Sequence, residues 1–348
     1  MNILIVGSGA REDIITRSLA KSKDKPSLYC YGSSNNPGIA ALTAEPIYIG
    51  DLTNINEITE FAKKHKIDFA VIGPEAPLEK GVVDALFQEG IQCIGPFKEL
   101  ARIETSKSFA MELLTSAGID GCPNYCVFSS MEGVEWYIKN ILGGVENCVF
   151  KPDGLTGGKG VMVYGDHFQT LEEVLGYAQE LVNQDQGKKF VIAEKLEGEE
   201  GSLMAFCDKN GHIVFMPWVQ DNKRRYSGDK GPNTGGMGSY SLANHLLPFL
   251  TKEDDEKARG IMRKTIETLN KQSGNPFIGI LYGGFIKTKD GIKFIEYNAR
   301  FGDPEALNAL ALLDHLESDL VTIFKAMIDG TLNEISVKFR NEASFALY

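Results

Sequence analysis

The first hundred residues alternate apolar runs of strand length with runs of helix length, and this leaves few folds open. "NILIVG", "SLYCYG", "PIYIG", "IDFAVIG" and "IQCIGP" read as strands. "AREDIITRSLAKS", "NINEITEFAKKHK" and "KGVVDALFQEG" read as helices between them. In the first helix Ile14, Ile15 and Leu19 share a face, and in the second Ile55, Ile58 and Phe61 do. Near-continuous apolar strands separated by helices imply a parallel sheet covered on both faces. From about Cys122 the pattern turns strand-rich. "GSLMAFCDKNGHIVFMPWV" reads as a hairpin turning at Lys209-Asn210-Gly211, and "GILYGGFIKT" with "GIKFIEYNA" as another turning at Lys289-Asp290-Gly291. "GPNTGGMGSYS" reads as a glycine-rich loop. The expected class is α/β at the front and α+β behind.

Charge and cysteine usage narrow the function. With 348 residues and a formal net charge of -11, a broad nucleic-acid footprint is not expected. A local basic pocket for a small phosphorylated ligand remains open. No apolar run is long enough to span a membrane, and "MNILIV" is too short for a secretory signal. Of the six cysteines only Cys122 and Cys126 are close, which completes no zinc site. Reduced cysteines in a cytoplasmic enzyme are the simplest expectation.

Three segments carry chemistry. "KPDGLTGGKGVMV", Lys151 to Val163, is not a Walker A loop: Asp153 stands at the first glycine site, and Gly160 follows Lys159 where a hydroxyl belongs. It joins strand to strand, so it reads as a flap whose glycines let backbone N–H groups approach phosphate oxygens. "GSGARE" places Gly7 and Gly9 as in a dinucleotide fingerprint, but Glu12 replaces the third glycine. A single terminal phosphate near Arg11, at the helix N-terminus, suits it better than NAD. In "FIEYNARFGDPE", Glu296 and Asn298 alternate on one strand and face one side. Such an oxygen pair suits Mg²⁺, and Arg300 beside it suits a carboxylate. A solvent-facing polar stripe is the alternative, and the turn "FGDPE" argues against it.

Together these segments give the chain a resemblance to the ATP-grasp superfamily and, within it, to the phosphoribosylamine–glycine ligases. The match is collinear from Met1 to Tyr348 through "GSGARE", "GPEAPLEKGVVDAL", "ETSKSFA", "KPDGLTGGKGV", "EKLEGEEGS", "VQDNKR", "GPNTGGMGSYS" and "EYNARFGDPE". It implies a Rossmann-like parallel-sheet domain over residues 1–101 and an α+β ATP-grasp domain over 102–330, with a flap subdomain at about 120–196. Residues 331–348 would begin a C-terminal domain that the family continues and that looks truncated here. The resemblance implies that ATP phosphorylates glycine to an acyl phosphate, which the amine of 5-phosphoribosylamine attacks to give glycinamide ribonucleotide in purine biosynthesis.

The resemblance also assigns roles. Lys107 and Lys151 would hold ATP phosphates under a flap including Gly154, Gly157, Gly158, Lys159 and Gly160. The backbone of Lys195 and Leu196, with Glu194 nearby, would read adenine, and Glu200 the ATP ribose. Glu296 and Asn298 would bind Mg²⁺ (or Mn²⁺). Arg300 would hold the glycine carboxylate and Asp221 an amine or ribose hydroxyl, while Lys223, Asn233, Gly235 and Gly236 would line the reaction centre. Gly9, Ala10 and Arg11 would take the 5'-phosphate of phosphoribosylamine, and Glu75 its ribose. A monomer or weak dimer acting on small molecules is implied. The chain departs from the family at Asp13 and Asn222, where histidine is usual. With the truncation, these departures leave open another ATP-grasp ligase or a non-catalytic nucleotide-binding remnant.

Overall fold

A computed structural model describes residues 1–155, 160–184 and 187–226, and 230–348; at 225 and 230–233 it describes the backbone alone. Strands β1 (Asn2–Val6), β2 (Ser27–Gly32), β3 (Tyr48–Ile49), β4 (Phe69–Ile72) and β5 (Gln92–Ile94) form a parallel sheet in the order β3-β2-β1-β4-β5. Strand order reverses between β1 and β4, so the loops that follow them open side by side as a crevice. Gly73, after β4, donates its N–H to Val6 at the end of β1, 2.9 Å away. Gly7 sits at φ +116°, and a Cβ there would lie 2.9 Å from both Glu12 and Pro74. Only glycine fits where the two loops approach.

The flap subdomain is a separate antiparallel sheet. β6 (Tyr125–Phe128), β7 (Cys148–Pro152), β8 (Met162–Val163) and β9 (Phe190–Glu194) run in the order β6-β9-β7-β8. Helices Val134–Asn140 and Leu171–Gln184 close its own apolar cluster around Ile138, Phe150, Phe168, Val174 and Phe190. The flap of the sequence reading does join strand to strand, β7 to β8, with Phe150 opposite Met162.

Behind these lie two further sheets. β10 (Glu199–Cys207), β11 (Ile213–Phe215), β14 (Gly279–Thr288) and β15 (Gly291–Asn298) run β11-β10-β14-β15. β12 (Gln220–Tyr226), β13 (Lys230–Ser241) and β16 (Ser344–Leu347) run β12-β13-β16. Both expected hairpins form. The segment "GPNTGGMGSYS" is not a loop, as expected above, but most of β13. Its glycines admit close neighbours: a Cβ on Gly238 would lie 2.6 Å from the carbonyl oxygen of Ala346 on β16. Register shifts near Arg224 absorb the irregularity. Helices Lys98–Thr105, Lys107–Ser116, Lys252–Ser273, Glu305–Leu312 and Leu320–Asp329 belong to this part.

The N-terminal sheet does not end where its sequence pattern does. Leu4 and Val6 belong to one apolar cluster with Leu203, Trp218 and Phe285. Ile3 and Ile5, on the opposite face, belong to another with Met204, Phe206 and Phe324. Period-two alternation thus welds β1 and β10 through two cores. The welded body carries the pocket, and the flap subdomain keeps a core apart from it. No helix among the described residues is long and apolar enough to cross a membrane.

Candidate active site

Neighbouring strands supply the pocket. Glu200 and Ser202 come from β10, Asp221 and Lys223 from β12, Tyr282 from β14 and Glu296 from β15. Residues two apart on a strand face the same side, which brings these side chains together. A bulge helps at β15. Gly284 is opposite Glu296 and Phe285 opposite Phe294, so Ile295 is the extra residue. Its carbonyl accepts a hydrogen bond from Lys151 Nζ at 3.4 Å. Glu296 and Asn298 then flank buried Tyr297, as their alternation required.

Charge in this pocket is left unbalanced locally. The Glu296 carboxylate has no hydrogen bond or ion pair among the described residues. Its field reaches Lys107, Lys151 and Lys223. Burial lowers the pKa of Lys107 and of Lys151, with Glu296 opposing. At Lys223 burial is outweighed by Glu200, Glu296, Glu305 and Asp221, so its pKa rises. Asp221 is pushed up to about 7, first by burial and then by the charge of Glu305, against the pull of Lys223. Its Oδ1 is buried without a partner.

The flap base is pinned by residues the sequence reading passed over. Asp153 accepts hydrogen bonds from Ser108 Oγ (2.6 Å), Ser106 Oγ (3.0 Å) and the Ser108 N–H (3.2 Å). Lys107, on the helix this anchors, donates to the Gly154 carbonyl at 2.9 Å. Lys107 and Lys151 therefore come together, as expected. The only sequence signal for Asp153 was its place between a lysine strand end and the first flap glycine. Gly157, Gly158 and Lys159 lie outside the described residues, as does the side chain of Asn233. Gly154 (φ +103°) and Gly160 flank the undescribed stretch. Gly235 is open on all sides, whereas a Cβ on Gly236 would lie 2.9 Å from Pro304 and 3.2 Å from Asp221 Oδ1.

In the segment expected to read adenine, the Lys195 N–H donates to the Asn147 carbonyl at 2.8 Å. Glu194 accepts from the backbone and side chain of Asn124. Glu200 lies on the pocket rim, 3.8 Å from Lys223 Nζ.

The crevice of the first domain contrasts with the pocket. Glu12 turns inward, accepting from the Gly9 N–H at 2.6 Å and from Arg11 Nε at 2.7 Å. Arg11 is buried and donates onward to the Phe301 carbonyl at 3.2 Å. The Gly9 and Arg11 donors expected to meet a phosphate are therefore engaged within the protein, and Ala10 only opens the helix. Arg300 pairs with Glu104 at 2.9 Å and lies 3.5 Å from Glu75. Burial opposes its charge, but these two carboxylates outweigh it and raise its pKa. Its Nε is left without a hydrogen bond. Glu104 was missed in sequence; it meets Arg300 and the Ala299 N–H across 195 positions, beyond any local pattern.

No group of three or more His, Cys, Asp or Glu side chains placed to hold a metal occurs among the described residues. The Glu296 carboxylate, without a partner among the described residues, shares a face of β15 with Asn298, whose amide oxygen accepts from Arg300 at 3.2 Å and keeps a lone pair; the two oxygens fit a hard cation that takes its other ligands from phosphates and water.

A glycine hairpin tied at its base to Lys107, with half-buried Lys151 on its strand reaching a sheet that presents carboxylates, is the arrangement of the ATP-grasp class. The family models agree and go further: the N domain of phosphoribosylglycinamide synthetase matches residues 1–104, and its ATP-grasp (A) domain matches residues 105–306. The chain belongs to the phosphoribosylglycinamide synthetase family. It is 46% identical over 348 residues to a phosphoribosylamine–glycine ligase of Methanosarcina barkeri, covering all of this chain and 78% of the relative. It is 47% identical to that of Methanocorpusculum labreanum, covering 77% of it. The crystal structure of a phosphoribosylamine–glycine ligase from Thermotoga maritima superposes with a TM-score of 0.79 at 27% identity, over 100% of this chain and 80% of that one.

Proposed function

We propose that this chain, a cytoplasmic monomer or weak dimer, is an ATP-dependent ligase that joins glycine to 5-phosphoribosylamine through glycyl phosphate. The products are glycinamide ribonucleotide, ADP and phosphate. The observation that carries the reading is the field of Glu296 on Lys107, Lys151 and Lys223, with no partner for its carboxylate among the described residues. Such a half-buried carboxylate is open to a ligand.

Lys107 and Lys151 hold the ATP phosphates from fixed bases, Lys107 through the Gly154 carbonyl and Lys151 through that of Ile295. The Lys195–Leu196 backbone receives adenine, and Glu200 the ribose. Glu296 and Asn298 would hold a divalent cation, which neutralises phosphate charge when bound. Arg300 orients the glycine carboxylate while Glu104 and Glu75 hold the guanidinium still. Lys223, kept charged by surrounding carboxylates, stabilises negative charge that develops on the acyl phosphate. The crevice beyond Arg300, between Gly9 and Glu75, takes the phosphoribosyl part. Positioning supplies most of the rate.

The test is phosphate release from ATP and Mg²⁺ with glycine and freshly generated phosphoribosylamine, separately and together. Full release should need both substrates. Release that ignores the amine, or that another carboxylate supports equally well, would sink the assignment.

A further inference from the structure

The proposed reaction leaves one proton without a recipient. An attacking amine nitrogen forms a bond to carbon and must lose one hydrogen. We infer that Asp221 accepts that proton, and that a buried Ser202–Tyr282–Glu305 chain is the positioning device that fits it for the task. The inference rests on the ligase reading above.

The geometry is specific. Asp221 Oδ1 is buried and unpartnered, in a pocket it shares with Ser202 and Tyr282. Tyr282 donates its hydroxyl to Glu305 Oε1 at 2.8 Å, and Ser202 Oγ lies 2.6 Å from the same hydroxyl. Ser202, Tyr282 and Glu305 are all buried. These bonds give the Glu305 carboxyl partners inside the protein, behind Tyr282 of the pocket wall. The groups around Asp221 come from several elements. Lys223 lies on β12, Glu200 on β10, Tyr282 on β14, Glu296 on β15 and Glu305 on helix Glu305–Leu312, and among the described residues of β13 it is uncharged Gly236 that approaches. Lys223 pulls the carboxyl down, while burial and Glu305 push it up, and the balance falls at about 7. A base poised there is half ready at neutral pH and strong enough to take an ammonium-like proton as it is released.

The step balances. The amine lone pair forms the C–N bond, and Asp221 takes the N–H proton, leaving its electron pair on nitrogen. The carbonyl re-forms and expels phosphate with the C–O electron pair. Asp221 then passes the proton to phosphate or water and is restored.

The full chain is assayed with ATP, Mg²⁺ and glycine against two nucleophiles: phosphoribosylamine, and hydroxylamine, which is small enough to lose its proton to water. Asp221→Asn should lose about 100-fold more rate with phosphoribosylamine than with hydroxylamine. The wild-type rate should fall as pH drops through about 7, because the carboxylate is the active form. In Glu305→Gln that acid limb should move to lower pH, since a negative charge that favours protonation is gone. Equal losses with both nucleophiles, together with a raised KM for glycine, would make Asp221 a binding residue and overturn the inference. An unmoved limb in a folded Glu305→Gln would remove the chain from the mechanism. Should that variant not fold, the nucleophile ratio in Asp221→Asn decides alone. Wild-type protein that makes no glycine-dependent hydroxamate would take down the ligase reading itself, and the inference with it.

Discussion

Two regions of this molecule are dense in charge and use it in opposite ways. In the crevice at the end of β1, Glu12 answers Arg11 and the Gly9 N–H, and Arg11 also answers Phe301. In the pocket between β10, β12 and β15, half-buried Glu296 has no partner among the described residues and Asp221 Oδ1 is orphaned. A charge that is satisfied holds architecture together; one left unsatisfied is held ready for a ligand. Arg300 lies between the two regions and belongs partly to each. Glu104 engages a terminal guanidinium nitrogen at 2.9 Å, while the buried Nε makes no hydrogen bond and has Glu75 at 3.5 Å.

This contrast can be broken by swapping where damage appears. Glu296→Ala should lower phosphate release by about 10³-fold, while thermal stability stays level or rises. The level Tm is the sharper half, because Glu296 has no internal bond to lose. Glu12→Ala should do the reverse. It strands the Gly9 N–H and uncouples buried Arg11, costing about 3 kcal/mol in a denaturant titration. Activity per folded molecule should fall much less than in the Glu296 variant. Matching stability losses in the two variants would erase the distinction.

The comparison also explains what the sequence made legible. The parallel sheet was readable because β1 and β4 are apolar throughout, and the β7–β8 flap because glycines sit between two strand patterns. Glu296 and Asn298 were readable because alternation on one strand fixes a shared face. Three features were not readable. β13 carries the glycine signature of a loop, but its glycines serve close approach to β16. The core shared across the units was hidden as well: Leu4 and Leu203 pack in one cluster, although the helix–strand rhythm sets them apart. Glu104 and Asp153 act through contacts set by tertiary packing, 195 and 45 or more positions away, where no period reaches. Local pattern locates charged residues well. Whether each is satisfied depends on the fold.

Gly236 tests the seam between architecture and chemistry. It sits at φ +112° against Pro304 and Asp221. Gly236→Ala should cost about 2 kcal/mol, through backbone strain and the Pro304 contact. It should also slow turnover, because the new methyl presses on Asp221. A stability loss with unchanged kcat would place Asp221 further from the reacting atoms than the pocket geometry puts it.

The smallest effect is expected one residue away from Asp221. Asn222 replaces a histidine usual in the resembling ligases, which makes it a tempting site for chemistry. Strand alternation argues otherwise. Asp221 and Lys223 face the pocket, so Asn222 must face away, and it is exposed. Its side chain makes one hydrogen bond, to the Gly238 carbonyl at 3.3 Å, which ties β12 to β13. A histidine in that outward position can still donate to a carbonyl, so stability should change by no more than about 0.5 kcal/mol. Turnover of Asn222→His should stay within about twofold of wild type, since a kcat ratio of two is worth only ~0.4 kcal/mol. A pH profile identical to that of the parent would confirm that the titrating group belongs to the inward face. A new limb near neutral pH would mean that the outward face of β12 also reaches the reaction, and the division between satisfied and unsatisfied charge would need redrawing there.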